Sequence, residues 1–392
     1  MPRLRSGHDH WEIAHDGATL VIVEGGKQTT RKFVSATHAK VQHDKLVAEK
    51  LAAGWEPTDE PAPVIESGEP RNPELEVAFA ADPYDASVAA VYGDWLESRG
   101  HPRGELIARC LAEAKDGVET APPGVRKHLA RHREQLLGEL ARHDAPGEDS
   151  PFTWRLGFIR RLDLTDASNA APLVRDVLAH PSGRFLAEAR LRFNGADEIV
   201  ATLDALRSAK LRELAILTYS QPASFDALAT FTQLRRLVVN CEGDAMLGRR
   251  ALAGIANVAP SVESLAVRAG VDDDAWFTLQ PLFARDDVRI AELSLGLGPI
   301  IRIAMQALAD GPLAAGVVAL DIADDPELWV RAFRDQRDRF TKLDVLKLLV
   351  GHTAQSALTS LRGSVARVLP RRDPYARLMP ELDDDHYDEV RE

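Results

Sequence analysis

The chain has 392 residues, with 48 Lys and Arg against 60 Asp and Glu, a net charge of −12. That length predicts two or three domains, and the acidic balance speaks against a general binder of the nucleic-acid backbone. Cys110 and Cys241 are too few for a disulfide framework or a Cys-rich metal site, and predict packed thiols in a reducing compartment.

The N-terminal residues MPRLRSGHDHWEIAHDG lack an apolar signal region, and no apolar run reaches the ~18 residues of a membrane span. The expectation is a cytoplasmic protein that does not engage a membrane. Segment 9–56 reads strand, turn, strand, turn, strand, helix. Trp11 to Ile13 alternates, Asp16-Gly17 marks a hairpin, ATLVIV is strand-like, EGGKQ is a turn and TTRKFV is again β-rich. A helix follows, with Ala39, Leu46, Val47 and Leu51 at helical spacing and Gly54 as its stop.

The motifs W-E-I…D-G, GGKQTTRKF and LVAEKLAAGWE make residues 1–56 resemble a WGR domain. The resemblance implies a small α+β module, which in some members engages nucleic acid through its Trp-Gly-Arg turn. This sequence departs there, with VEGG at 23–26. The candidate nucleic-acid contacts it leaves are Lys27, Arg31 and Lys32. Residues 57–72 are rich in Pro and acid and predict a linker.

Residues 73–150 carry D-W-L-E, a Gly, an Arg and E-x-I, as Asp94, Trp95, Leu96, Glu97, Gly100, Arg103, Glu105 and Ile107. This pattern resembles the bacterial repeat-companion domain, of the paralogous type of myxobacteria and planctomycetes. It implies a helical module set ahead of repeats, and a scaffold rather than a catalyst. Read from the residues alone, Leu75, Phe79, Val88, Val91, Trp95 and Leu96 form one apolar face, and Gly100-His101-Pro102 separates two helices. Asp94 and Glu97 are expected to pair with Arg99 or Arg103. A longer amphipathic helix is expected over 125–143.

From 157 onward an aliphatic L-x-x-L-x-L pattern recurs eight times. Its middle residues are Leu162, Ala189, Leu214, Leu237, Leu265, Leu293, Leu320 and Leu346, at spacings of 27, 25, 23, 28, 28, 27 and 26. This is the leucine-rich-repeat period of about 20–29 residues. The fold class expected is therefore α/β: a leucine-rich-repeat solenoid of about eight divergent repeats over 151–370, behind a WGR-like α+β domain and a short helical module that caps it. The usual Asn after the strand is nearly absent, with Asn194 filling it once, so irregular turns are expected. Residues 371–392 read as an acidic tail.

The variable positions of this pattern are expected on the exposed sheet face. Their first half is basic, with Arg160, Arg161, Arg190, Arg192, Arg212, Arg235 and Arg236, and the second half is neutral to acidic. Two readings stand: a solvated face of Arg and Glu pairs, or a recognition surface for an acidic protein partner. Aromatic side chains for base stacking are missing there, which disfavours nucleic acid. No catalytic, cofactor or metal residues are assigned. His8, His10 and His15 lack zinc spacing, LGLGP at 295–299 is not a phosphate loop, and His352 and Ser356 have no triad partner. The expectation is a non-enzymatic interaction scaffold. A nucleic-acid-linked regulator is the alternative.

Overall fold

A computed structural model of the chain describes residues 3–6, 9–16, 18–24, 27–33, 35–57, 69–113, 122–144, 150–165, 170–193, 195–242, 246–271, 273–297, 300–322, 333–348, 365 and 367–370. It is a mixed α/β protein of two compact units, residues 1–71 and 72–392. Among the described residues no helix is long and apolar enough to cross a membrane.

The described residues of the first unit form an antiparallel five-stranded sheet with one helix. Its strands are β1 (Arg3–Ser6), β2 (Asp9–Asp16), β3 (Thr19–Glu24), β4 (Lys27–Lys32) and β5 (Glu56–Pro57), in the order β4-β3-β2-β1-β5. Alternation sends Trp11, Ile13, Leu20 and Ile22 to one face, where α1 (Ala36–Ala52) covers them with Ala39. Ser35 caps this helix by accepting from the His38 backbone N–H. Gly54 closes it at a φ of +86°, a conformation suited to glycine. Leu51, expected on the buried face, is 44% exposed, and His43 is buried in the stripe instead. The short β1 and β5 carry no periodic signal in the sequence.

The second unit begins with helices α2 (Pro73–Ala81), α3 (Ala86–Glu97), α4 (Pro102–Glu113), α5 (Pro123–Arg131) and α6 (Arg133–Leu137). Asn72 and Asp85 cap α2 and α3 with their side-chain oxygens. Helices α3 and α4 approach closely at Gly93 and Gly104: a Cβ on Gly104 would lie 2.5 Å from the Glu97 backbone nitrogen. The helix expected over 125–143 is broken at His132 and ends at Gly138, whose φ is +48°, with a 3-10 turn to His143. Val91 is 56% exposed rather than in the core.

Among the described residues ten strands follow in one sheet, ordered strictly by sequence. They are β6 (Phe152–Arg155), β7 (Phe158–Leu164), β8 (Glu188–Phe193), β9 (Glu213–Thr218), β10 (Arg236–Cys241), β11 (Ser264–Arg268), β12 (Glu292–Gly296), β13 (Ala319–Ile322), β14 (Val345–Leu348) and β15 (Arg367–Pro370). Strands β7 to β15 are parallel, and β6 pairs antiparallel with β7 at the edge. The eight middle residues of the sequence pattern, Leu162 through Leu346, are direct Cα partners across seven successive strand pairs. Two strands lie outside that pattern, β6 before it and β15 after it.

The return segments include α7 (Ala170–Ala179), α8 (Ala196–Leu206), α9 (Arg249–Ala256), α10 (Asp273–Trp276) and α11 (Ile301–Asp310). Their Leu173, Val177, Leu203, Ile255 and Met305 share one continuous core with the inward strand residues. No return has enough apolar surface to stand alone; each is stabilised by its neighbours. Trp276 is 1% exposed and its ring lies 5.6 Å from that of Phe283. Both cysteines are buried, and burial pushes the Cys241 thiol up to about 11.

Candidate partner-binding face

The helices close the first edge of the ten-stranded sheet. Phe79, Tyr92, Leu96, Leu106 and Ile107 share a cluster with Leu156 and Phe158 of the β6–β7 hairpin and with Phe185. Phe79, Tyr92, Phe158 and Phe185 interlock, with the Tyr92 and Phe158 rings stacked at 6.0 Å and the Phe79 and Phe185 rings edge-on at 4.7 Å. Each such pair adds about 0.5–1.5 kcal/mol beyond its area. The hairpin turns through Leu156 and Gly157 at φ values of 50° and 81°. A Cβ on Gly157 would sit 2.4 Å from Ile107 Cγ1, so the turn has room for glycine alone.

Arg103 bolts this junction. It is wholly buried, and donates to the Gly157 carbonyl at 2.5 Å and to Ser182 Oγ at 2.9 Å. Ser182 Oγ donates in turn to the Leu136 carbonyl. The expected pairing of Arg103 or Arg99 with Asp94 and Glu97 is thus replaced. Asp94 and Glu97 are exposed, and Arg99 stacks on Trp95 at 3.9 Å. Arg184 joins Glu76 at 2.7 Å and the Tyr92 hydroxyl at 3.0 Å.

A second node surrounds Tyr84. Its hydroxyl donates to Glu188 Oε1 at 2.6 Å, and the guanidinium carbons of Arg155, Arg160 and Arg212 lie 5.0, 5.6 and 5.8 Å from its ring. Burial and the neighbouring Glu188 hold its phenol well above the usual range.

The seven arginines assigned to one exposed face therefore divide. Arg160 is 1% exposed, donates to the Phe185 carbonyl at 2.7 Å, and lies 5.2 Å from the Phe79 ring. Its Nε and Nη2 have no hydrogen-bond acceptor, and burial pulls its pKa down to about 10. It is inside the junction, which removes it from any partner face. Arg212 likewise donates to the Ala81 carbonyl at 2.5 Å and meets Asp82 at 3.4 Å. Arg161 donates to Asp163 at 2.9 Å, and Arg190, 8% exposed, lies 3.8 Å from the same carboxylate. Arg192 is half-buried on β8.

Beyond the junction the pairs face water. Arg235 meets Glu263 at 2.5 Å, with both side chains 58% exposed, and Arg236 lies 3.5 Å from Glu292. Ser264 Oγ donates to Glu292 at 3.1 Å. The exposed Arg235–Glu263 pair contributes about 0–1 kcal/mol, so a partner group exchanges for it at little cost, whereas the Arg236 side chain is only 23% exposed.

Between these charged rows lies a floor that composition did not announce. Ala215, Leu217, Val238 and Ala266 form an apolar cluster on the sheet face opposite the main core, all at most 5% exposed. Beside them, Asn240 is 1% exposed, its amide nitrogen donating to Glu242 Oε1 at 2.9 Å. Its Oδ1 is buried with no hydrogen-bond donor, which costs about 1–3 kcal/mol. Thr218 closes the bend after β9 by accepting from the Ser220 backbone N–H at 3.1 Å, a local substitute for the Asn of the sequence pattern. Asn194 itself lies outside the described residues.

In the first unit Arg31 is exposed on β4, and Lys27 and Lys32 begin and end that strand. Their side chains, and Gly25 and Gly26 of the departing VEGG stretch, lie outside the described residues. Among the described residues no group of three or more His, Cys, Asp or Glu side chains is arranged to hold a metal ion.

No known protein family matches the sequence, and no curated protein does. Among solved structures, the crystal structure of a protein from Bacteroides fragilis, a structural genomics target, aligns over 95% of this chain and 96% of its own. The identity is 15% and the TM-score 0.42.

Proposed function

We propose that this protein is a non-enzymatic recognition scaffold, which binds a protein partner on the exposed face of a leucine-rich-repeat solenoid. In this reading the helical module is a repeat-companion domain serving as the solenoid's cap, and the first unit is a WGR-like domain. The setting is a bacterial cytoplasm. The observation that carries the reading is the unbroken in-register ladder from β7 to β14, with the exposed, exchangeable Arg235–Glu263 pair and the half-buried Arg236 beside Glu292 at the start of β10. Uncapped end repeats aggregate, and a helical layer fused to the first strands answers that need.

The test is capture from nuclease-treated lysate by wild type and by Arg235→Glu/Arg236→Glu, with circular dichroism to confirm folding. A protein held by wild type and lost in the double variant supports the reading. Identical captures make these arginines solvated surface and count against it. Captures that vanish with nuclease in both proteins transfer the weight to the nucleic-acid alternative, through Lys27, Arg31 and Lys32.

A further inference from the structure

We draw no further inference here: the strongest candidate, the cluster of Arg155, Arg160 and Arg212 around the Tyr84 ring between α2 and α3, belongs to the junction already described, and the Arg160 nitrogens that lack an acceptor are buried out of a ligand's reach.

Discussion

Arg160 and Arg235 occupy the same step of the same sequence pattern, two residues before Leu162 and Leu237. One is 1% exposed beneath Phe79 and Tyr84; the side chain of the other is 58% exposed and paired with Glu263. The difference comes from neighbours that the pattern does not contain. Helices α2 and α3 lie over the first strands and turn surface arginine into interior hardware, while β10 and β11 have no such layer among the described residues. A repeat position thus has no fixed role; its distance from the cap decides it.

The sharpest way to break that comparison is to make one charge reversal at both ends. Arg160→Glu buries an acid beside Glu188 and deprives the Phe185 carbonyl of its donor. Uncompensated buried charge costs about 3–5 kcal/mol. Arg235→Glu should change stability by no more than about 0.5 kcal/mol while weakening partner capture. Urea denaturation of both variants decides it. Equal losses would mean that the cap does not enclose Arg160.

Glycines give the next contrast. Gly157 has a φ of +81° and Ile107 within 2.4 Å of where a Cβ would go, so Gly157→Ala should cost about 2–3 kcal/mol. Gly316, far along the sheet, has open space around that position, and Gly316→Ala should lie within about 0.5 kcal/mol of wild type. A Gly157→Ala protein that melts with wild type would show that the hairpin and α4 do not meet as described.

These contrasts also show what was legible beforehand. Periodicity identified the strands and their register, because Leu162 through Leu346 must all reach one core and a shift by one residue would turn each outward. It missed β6, since an antiparallel edge strand belongs to no repeat, and β15, since Arg367–Pro370 lacks the full aliphatic pattern. It misassigned Arg160 because alternation predicts which face a residue takes, not what covers that face. Arg103 was expected to meet a nearby carboxylate; its partners, Gly157 and Ser182, lie 54 and 79 residues away, beyond any local rule. The cluster of Ala215, Leu217, Val238 and Ala266 on the other face has no periodic signature of its own; only the register sets these residues side by side.

Tyr84 tests the junction more gently. Removing its hydroxyl in Tyr84→Phe breaks the bond to Glu188, but this carboxylate is half-exposed and rehydrates, so the loss should be about 1 kcal/mol. The phenol's pKa is raised in the fold, so its contribution is complete below the unfolded value of about 10 and lost as pH rises beyond it. Wild type should therefore lose more stability than Tyr84→Phe between pH 8 and pH 10.5. Parallel losses in urea titrations at the two pH values would detach Tyr84 from the junction's stability.

The smallest effect is expected inside the cap itself, at His128. This side chain is 3% exposed and its Nε2 lies 2.8 Å from the Pro102 carbonyl, a bond in which the imidazole donates. Burial lowers its pKa below the ordinary 6.5; Glu105, 3.6 Å from Nδ1, opposes that shift, and His132 and Arg109 reinforce it. A depressed folded pKa places the stability above the unfolded value, and it is lost as pH falls through the folded one. Acidification from pH 7.5 to 5 should therefore weaken the cap through His128. His128→Gln retains an N–H donor for Pro102 and cannot take a charge, so its melting temperature should fall less over that range than wild type's. Since both proteins share every other titrating group, the difference isolates His128. Identical acid limbs would mean that the imidazole titrates as it does in water, and that the α4–α5 contact is looser than the distance to Pro102 implies.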